Sequence, residues 1–552
     1  MTLSCRTPLD PLPLVALVAA LLPATALATR PCTVPGVQAL APEGTVIDSA
    51  EALAAPVPHC KIDGHIITDN PGPNRVNFRL QLPDEGWQKR YFFIGMGGAA
   101  GSVPTHSGVP AGSPMLKGFA VAGTDTGRQG HMLDWSFLRD NPAQVEDHVH
   151  RAMHVSAGAT QAITRRWYNS DTLFRYMSGC SGGGRMATES ITRHPEDFDG
   201  VLLGAPGGRS SATMMTFIHN AQQMNREPGA WLSPDKLRRV EGKVTAACDG
   251  LDGAVDDIIA DHRRCQFDFD SLACPSGDDP ECLTGPELTS LKAVIAGPRG
   301  PEGPVGPGYP LANISFWSDY LGRVPPPWSD AATAENLPRT STGYVIGSSM
   351  AKVLFGPNFN ALTDFDFGNQ AHIDRWWREV DRIGYGKPNS ADLRGLQQSG
   401  GKVLMWNGVS DPCCSDVELE NYYREAGEIV GGLEALERLA RFYRVPGLGH
   451  CVGGVGPEDA VDRFLDAMIA WVEDGIAPGP LVAHRGESRR QLIFADPATG
   501  TLPVGQVVPS SGAPRDFLLC PFPQVATFTG AEAADRRAVY EAAHWQCRTP
   551  PT

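Results

Sequence analysis

Leu173-Phe174-Arg175-Tyr176-Met177-Ser178-Gly179-Cys180-Ser181-Gly182-Gly183-Gly184-Arg185 decides how the chain is read. The apolar, aromatic-rich start reads as a buried strand, and Arg185 to Thr192 is compatible with a helix. Between them, Gly179-x-Ser181-x-Gly183 provides small residues two places either side of a serine, so the backbone can take the sharp, strained turn that exposes the hydroxyl. The N-terminus of the following helix also offers a backbone N–H to a developing negative charge. GxSxG alone is common. Its setting between a strand and a helix makes Ser181 a candidate nucleophile.

The text on both sides has the same rhythm. Arg90 to Gly95, Phe119 to Gly123, Leu173 to Met177 and Val201 to Gly204 are short apolar runs, and the stretch from Val145 through Arg166 repeats its apolar positions at helical spacing. Strands alternating with helices imply βαβ units and a mostly parallel sheet, so the class is α/β. From Gly207 the rhythm stops: Pro and Gly increase, and Trp231, Trp317, Trp328, Trp376 and Trp377 are scattered through irregular text. It resumes with a strand at Gly401 to Trp406, a helix from Val417 to Glu425, a strand at Phe442 to Val445 and a helix from Glu458 to Asp474. One α/β catalytic domain, residues 29–206 and 391–552, is therefore expected to carry an insertion at 207–390.

An activated serine needs a base oriented by a carboxylate, and in the α/β-hydrolase fold these follow in the order Ser, acid, His on loops after strands. Asp411 follows the Val403–Trp406 strand, and His450 follows the Phe442–Val445 strand. Asp416 is the alternative acid, five residues further into a helix-like segment. Gly95-Met96-Gly97-Gly98-Ala99-Ala100-Gly101 lies where a second oxyanion donor is needed; the N–H of Gly98, within one residue, is expected to act with that of Gly182. No Lys-Ser/Thr follows this run, which excludes a phosphate loop. His148, His150 and His154 share one helix at spacings open to metal ligation, but hydrogen-bonded helix histidines are the commoner meaning.

Composition narrows the function. A chain of 552 residues with 42% apolar and 20% charged residues can bury a large core. Its net charge of −15 disfavours nucleic acid and anionic membrane surfaces and suits a small substrate. Arg6, the proline-interrupted apolar run Leu12–Leu27 and Ala26-Leu27-Ala28 read as a signal peptide, residues 1–28, for secretion or transport to the periplasm. That run is too short and broken to span about 30 Å of hydrocarbon as an anchor. Of thirteen cysteines, Cys5 leaves with the signal, and the remaining even number suits disulfides in an oxidising space. No two CxxC pairs have zinc spacing.

At Gly179-Cys180-Ser181 and Gly449-His450-Cys451 the chain resembles the tannase and feruloyl esterase family. The likeness spans nearly the whole mature chain and includes Gly179 to Arg185, Pro195 to Gly200, Cys248 to Cys265, Cys282-Leu283-Thr284, Gly400-Gly401-Lys402, and Trp471-Val472-Glu473 with Gly475 and Pro478. It implies an α/β-hydrolase fold with a large inserted lid domain, a Cys180–Cys451 disulfide and a structural Ca²⁺ in the lid. The acid- and glycine-rich run Cys248 to Ile258 suits a hard cation, yet its spacing is not that of an EF-hand and does not separate calcium from a solvated acidic loop. The resemblance implies the ligands: the side chains of Asp249, Asp252 and Asp256 and the carbonyls of Ala254 and Ile258.

Local spacing suggests Cys248–Cys265, Cys274–Cys282, Cys32–Cys60 and Cys520–Cys547 as further pairs. Cys413 and Cys414 remain, close enough to the candidate site to line its pocket, in a loop where relatives often carry other residues; a strained vicinal disulfide and two free thiols, the latter unusual in an exported protein, both stay open. The implied activity is hydrolysis of aromatic carboxylic esters, of feruloyl, hydroxycinnamoyl or galloyl type, from plant-cell-wall or tannin-derived material. Phthalate-like aromatic monoesters are the alternative substrates, and a non-catalytic binding protein on the same fold is the alternative role. The lid tryptophans are candidates for holding an aromatic group, and none is assigned to the site.

Overall fold

The computed structural model describes residues 31–104, 114–206, 210–277, 279–333, 335–385, 390–491, 506–509, 512–531 and 535–550; the expected signal peptide and the break at Gly207 lie outside them. A nine-stranded sheet organises the chain: β1 (Thr45–Leu53), β2 (His59–Thr68), β3 (Asn74–Pro83), β4 (Arg90–Gly95), β5 (Phe119–Thr124), β6 (Phe174–Cys180), β7 (Gly200–Gly204), β8 (Lys402–Gly408) and β9 (Ala440–Val445). Their order is β1-β2-β3-β5-β4-β6-β7-β8-β9. From β5 to β9 every pair is parallel, while β1, β2 and β3 add an antiparallel edge.

Alternation along β4 shows how the sheet is covered. Tyr91 and Phe93 enter a core with Met153, Ala157 and Met186 from α1 (Ala152–Tyr168) and α2 (Gly182–Arg193). Phe92 and Ile94 point to the other face, against a core that includes Phe464, Met468 and Trp471. Such two-sided burial explains why the central strands are continuous apolar runs rather than alternating ones. Each fully buried phenylalanine contributes on the order of 2 kcal/mol.

Between β7 and β8 the chain is predominantly helical, with α3 (Ser210–Asn225), α4 (Pro234–Cys248), α5 (Gly285–Ala296), α6 (Thr342–Phe355) and α7 (Gln370–Arg382). Its start signals are local: α5 begins at a capping box in which Thr284 and Glu287 satisfy each other's backbone amides, with Pro286 in the first turn. Trp317 and Trp376 are fully buried here, in a core that also takes in Trp135, Leu138 and Val149 from the first half of the chain. Trp377 instead lines a groove with His262, Tyr309, Asp374 and Glu418. After β8 come α8 (Asp416–Val430) and, beyond β9, α9 (Ala460–Asp474).

The long helix expected over Val145–Arg166 contains a π-helical turn at Asp147–Arg151. Buried Asp147 explains its position, since its carboxylate accepts hydrogen bonds from Thr68 (2.7 Å) and Asn74 (2.6 Å) on the edge strands. All five expected separate disulfides are present: Cys32–Cys60, Cys180–Cys451, Cys248–Cys265, Cys274–Cys282 and Cys520–Cys547. Of the two states open for Cys413 and Cys414, the structure has the unbridged one. Their sulfurs are 3.5 Å apart, and both of their amides donate to Asp411 Oδ1, at 2.7 and 3.0 Å.

Candidate active site

β6 runs straight into Ser181, which has φ +61° and ψ −122° and precedes the first turn of α2. That left-handed backbone is costly for a serine, and its persistence at a strand–helix junction points to function. Two close approaches require the flanking glycines: a Cβ on Gly179 would lie 2.2 Å from the Gly183 carbonyl oxygen, and one on Gly183 would lie 2.4 Å from that of Gly95. The Ser181 amide donates to the carbonyls of Gly204 and Ala205, both at 3.1 Å, which ties the turn to the end of β7.

Gly182 and the loop after β4 are in contact. A Cβ on Gly182 would stand 2.7 Å from the Gly98 nitrogen and 2.2 Å from its oxygen, so Gly98 abuts Gly182 as Gly95 abuts Gly183. Gly98 itself has φ +56°. The amide of Gly182, in the first helical turn, has no preceding helical carbonyl to bond.

Asp411 and His450 are joined directly. Buried Asp411 accepts from His450 Nδ1 at Oδ2, at 2.8 Å, and its Oδ1 accepts from the amides of Cys413 and Cys414. The two loops are stitched together by the Ser410 amide, which donates to the Leu448 carbonyl at 3.1 Å. Cys180 and Cys451 are the immediate neighbours of Ser181 and His450, and their disulfide, with Cα atoms 5.8 Å apart, holds those two loops side by side. Asp416, the alternative acid, is used elsewhere: it accepts from His262 (3.1 Å) and Arg444 (2.7 Å), linking the helical segment to β9. Burial raises its pKa, but Arg444 and His262 outweigh that and hold the carboxyl well below the usual range.

Burial disfavours protonation of His450, yet Asp411 and Cys413 outweigh it and hold the imidazole well above the usual histidine range. The Cys413 thiol is drawn down to about 6, first by its bond from Cys414 and, against burial, by His450. Cys414 is pushed up, chiefly by burial. Tyr320, whose ring meets His450 edge-on at 6.3 Å, completes this wall. Cys413 lines the site as its place after Asp411 implies, whereas its contact with His450 and the approach of Tyr320 depend on tertiary packing.

The acidic loop is folded on its own amides. Asp249 accepts from the N–H groups of Asp256 (3.1 Å), Asp257 (2.9 Å) and Ile258 (3.3 Å), and Asp252 accepts from that of Ala254 (3.0 Å). Asp256 pairs with Arg515 at 2.6 Å, a partner that spacing could not reveal. Burial, then repulsion among the carboxylates against the amide bonds, pushes Asp249 up to about 6 and Asp252 to about 7. The three carboxylates are oxygen donors, the donor type that suits a hard divalent cation, and one of them, Asp256, is at the same time ion-paired to Arg515. Ala254 is buried against Phe528, Val539 and Trp545, so the loop is docked on the C-terminal strands.

A serine in a strained strand–helix turn, an acid and a histidine after β8 and β9, and this strand order define an α/β-hydrolase. The family described as tannase and feruloyl esterase matches residues 60–543, and the chain belongs to it; it is a carboxylic ester hydrolase. An uncharacterized esterase of Xanthomonas campestris pv. campestris is 27% identical over 94% of this chain and 89% of its own. Mono(2-hydroxyethyl) terephthalate hydrolase of Piscinibacter sakaiensis is 28% identical over 91% of this chain and 87% of its own. Among solved structures, an esterase from Aspergillus oryzae superposes with a TM-score of 0.78 at 21% identity, covering 94% of this chain and 100% of that one, a likeness of fold. Among the described residues no helix is long and apolar enough to cross a membrane.

Proposed function

We propose that this chain is an exported serine esterase that hydrolyses aromatic carboxylic esters of the feruloyl, hydroxycinnamoyl or galloyl type through an acyl-enzyme on Ser181. The observation that carries the reading is the 2.8 Å Asp411–His450 hydrogen bond beside the disulfide that ties the histidine loop to the serine turn. His450 Nε2 takes the proton of Ser181 as Oγ attacks the ester carbonyl. The Nδ1–H of His450 donates to Asp411, which fixes the tautomer and stabilises the imidazolium. The N–H groups of Gly98 and Gly182 receive the tetrahedral oxyanion, each such donor contributing about 10²–10³ in kcat. His450 then protonates the departing alcohol, and water repeats the sequence to release the acid.

Aromatic substrates are supported by the family description and by the terephthalate monoester in a relative's name. That relative also favours phthalate-like monoesters as the second substrate reading. Export is supported by the N-terminal segment and by five disulfides, which persist in oxidising compartments. A structural Ca²⁺ would be held by the carboxylates of Asp249, Asp252 and Asp256 and the carbonyls of Ala254 and Ile258. Such an ion would neutralise the carboxylates and fix the loop on which the C-terminal strands dock. Rates on methyl ferulate, methyl gallate and a terephthalate monoester, each with an initial burst, test the reading; absence of turnover on all three by folded protein contradicts it.

A further inference from the structure

A second group of chemically active side chains stands outside this site. His150 and His154 are one turn apart on the helix that contains α1 and therefore share a face. His194 caps the C-terminus of α2, and Asp197 lies just before β7. Their backbone is held: the Asp197 amide bonds the His194 carbonyl at 3.0 Å, and Gln161 donates to the Asp197 carbonyl at 3.0 Å.

The side chains converge. His150 Nδ1 is 3.3 Å from His194 Nε2, the His154 and His194 rings stack with centroids 4.0 Å apart, and His154 Nδ1 lies 2.9 and 3.1 Å from the two Asp197 oxygens. Ligand atoms of His154, His194 and Asp197 all fall within 4.8 Å of one another. Glu146 bonds His150 Nε2 at 2.9 Å and so turns the other ring nitrogen towards the group. A carboxylate behind an imidazole is the arrangement that orients histidine ligands in metal sites.

We propose that His154, His194 and Asp197, with His150 as a further donor, form a site for a divalent transition metal of the zinc type. Imidazole nitrogens with one carboxylate suit zinc, nickel or copper and not calcium, so this site is chemically distinct from the acidic loop. Bound there, the ion would clamp α1 to the end of the helix whose other end carries Ser181, giving it a stabilising and not a catalytic role.

The test uses the whole purified enzyme, chelator-washed and resupplied with calcium. Calorimetric titration with zinc should give one site per chain, weakened at least about tenfold in His194→Ala and in His154→Ala. Their esterase rates should match the wild type. If an alanine variant does not fold, His194→Gln or Asp197→Asn replaces it. Cobalt substitution should give a spectrum without a thiolate charge-transfer band. Lack of zinc binding, unchanged affinity in these variants, or a thiolate band that assigns the ion to Cys413, Cys414 and His450 each overturns the proposal.

Discussion

Removing the disulfide beside the site, in Cys180→Ala/Cys451→Ala, separates what holds the fold from what holds the chemistry. The bond closes a loop with a sequence separation of 271 residues. In the chain-entropy description a loop of that size restricts the unfolded chain by roughly 5–6 kcal/mol at 25 °C. The entropy of unfolding for 552 residues is about 1.2 kcal/mol/K, so this loss lowers Tm by about 5 °C. The effect on rate is larger. Ser181 and His450 lie on separate loops and are tied through these two cysteines, and misplacement by about 1 Å can cost about 10²-fold in rate. Calorimetry and steady-state kinetics on one aromatic ester, both well below Tm, provide the comparison. A variant that melts lower but keeps kcat within a factor of about two would refute the view that the bridge aligns the catalytic groups.

Asp411→Asn should retain the fold while lowering kcat by about 10⁴-fold, because the amide no longer holds His450 in the required tautomer; kinetics beside a melting curve check it. Cys413→Ala should shift the acidic limb of the kcat/KM profile to lower pH. His450 must be neutral to act as a base, and Cys413 helps hold its pKa up, so an unmoved limb argues against the contact. Asp416→Asn should cost about 3 kcal/mol by leaving buried Arg444 with only its longer pairing to Asp261. Because the folded Asp416 pKa is depressed, its contribution is complete above the ordinary carboxylate value near 4 and lost as pH falls below it. Melting temperatures of wild type and variant should therefore converge in acid. Chelation should lower Tm without changing the rate of protein that remains folded, and unchanged melting with no metal found by elemental analysis counts against the calcium loop.

The strands that position the site were legible because burial on both faces makes them continuous apolar runs, as in Phe92-Phe93-Ile94 and Leu202-Leu203. The edge was not. β1 carries Asp48, Ser49 and Glu51 and has a partly exposed burial pattern, so its text resembles a loop until β2 pairs with it. Ser181, Asp411 and His450 could be named because each has its own local signal: a glycine turn, or a position just after an apolar strand. Arg515 had none. Its bond to Asp256 spans 259 residues, and only the folded chain brings them together. Whether Cys413 and Cys414 are bridged was not legible in the cysteine count, which is even in either state.

Ser181 as the covalent centre is tested most directly by treating the enzyme with an aromatic fluorophosphonate and mapping the adduct by peptide mass spectrometry. The expected result is one adduct per chain on the peptide carrying Ser181, absent from Ser181→Ala. An adduct on Cys413, or labelling that survives in Ser181→Ala, would contradict the account.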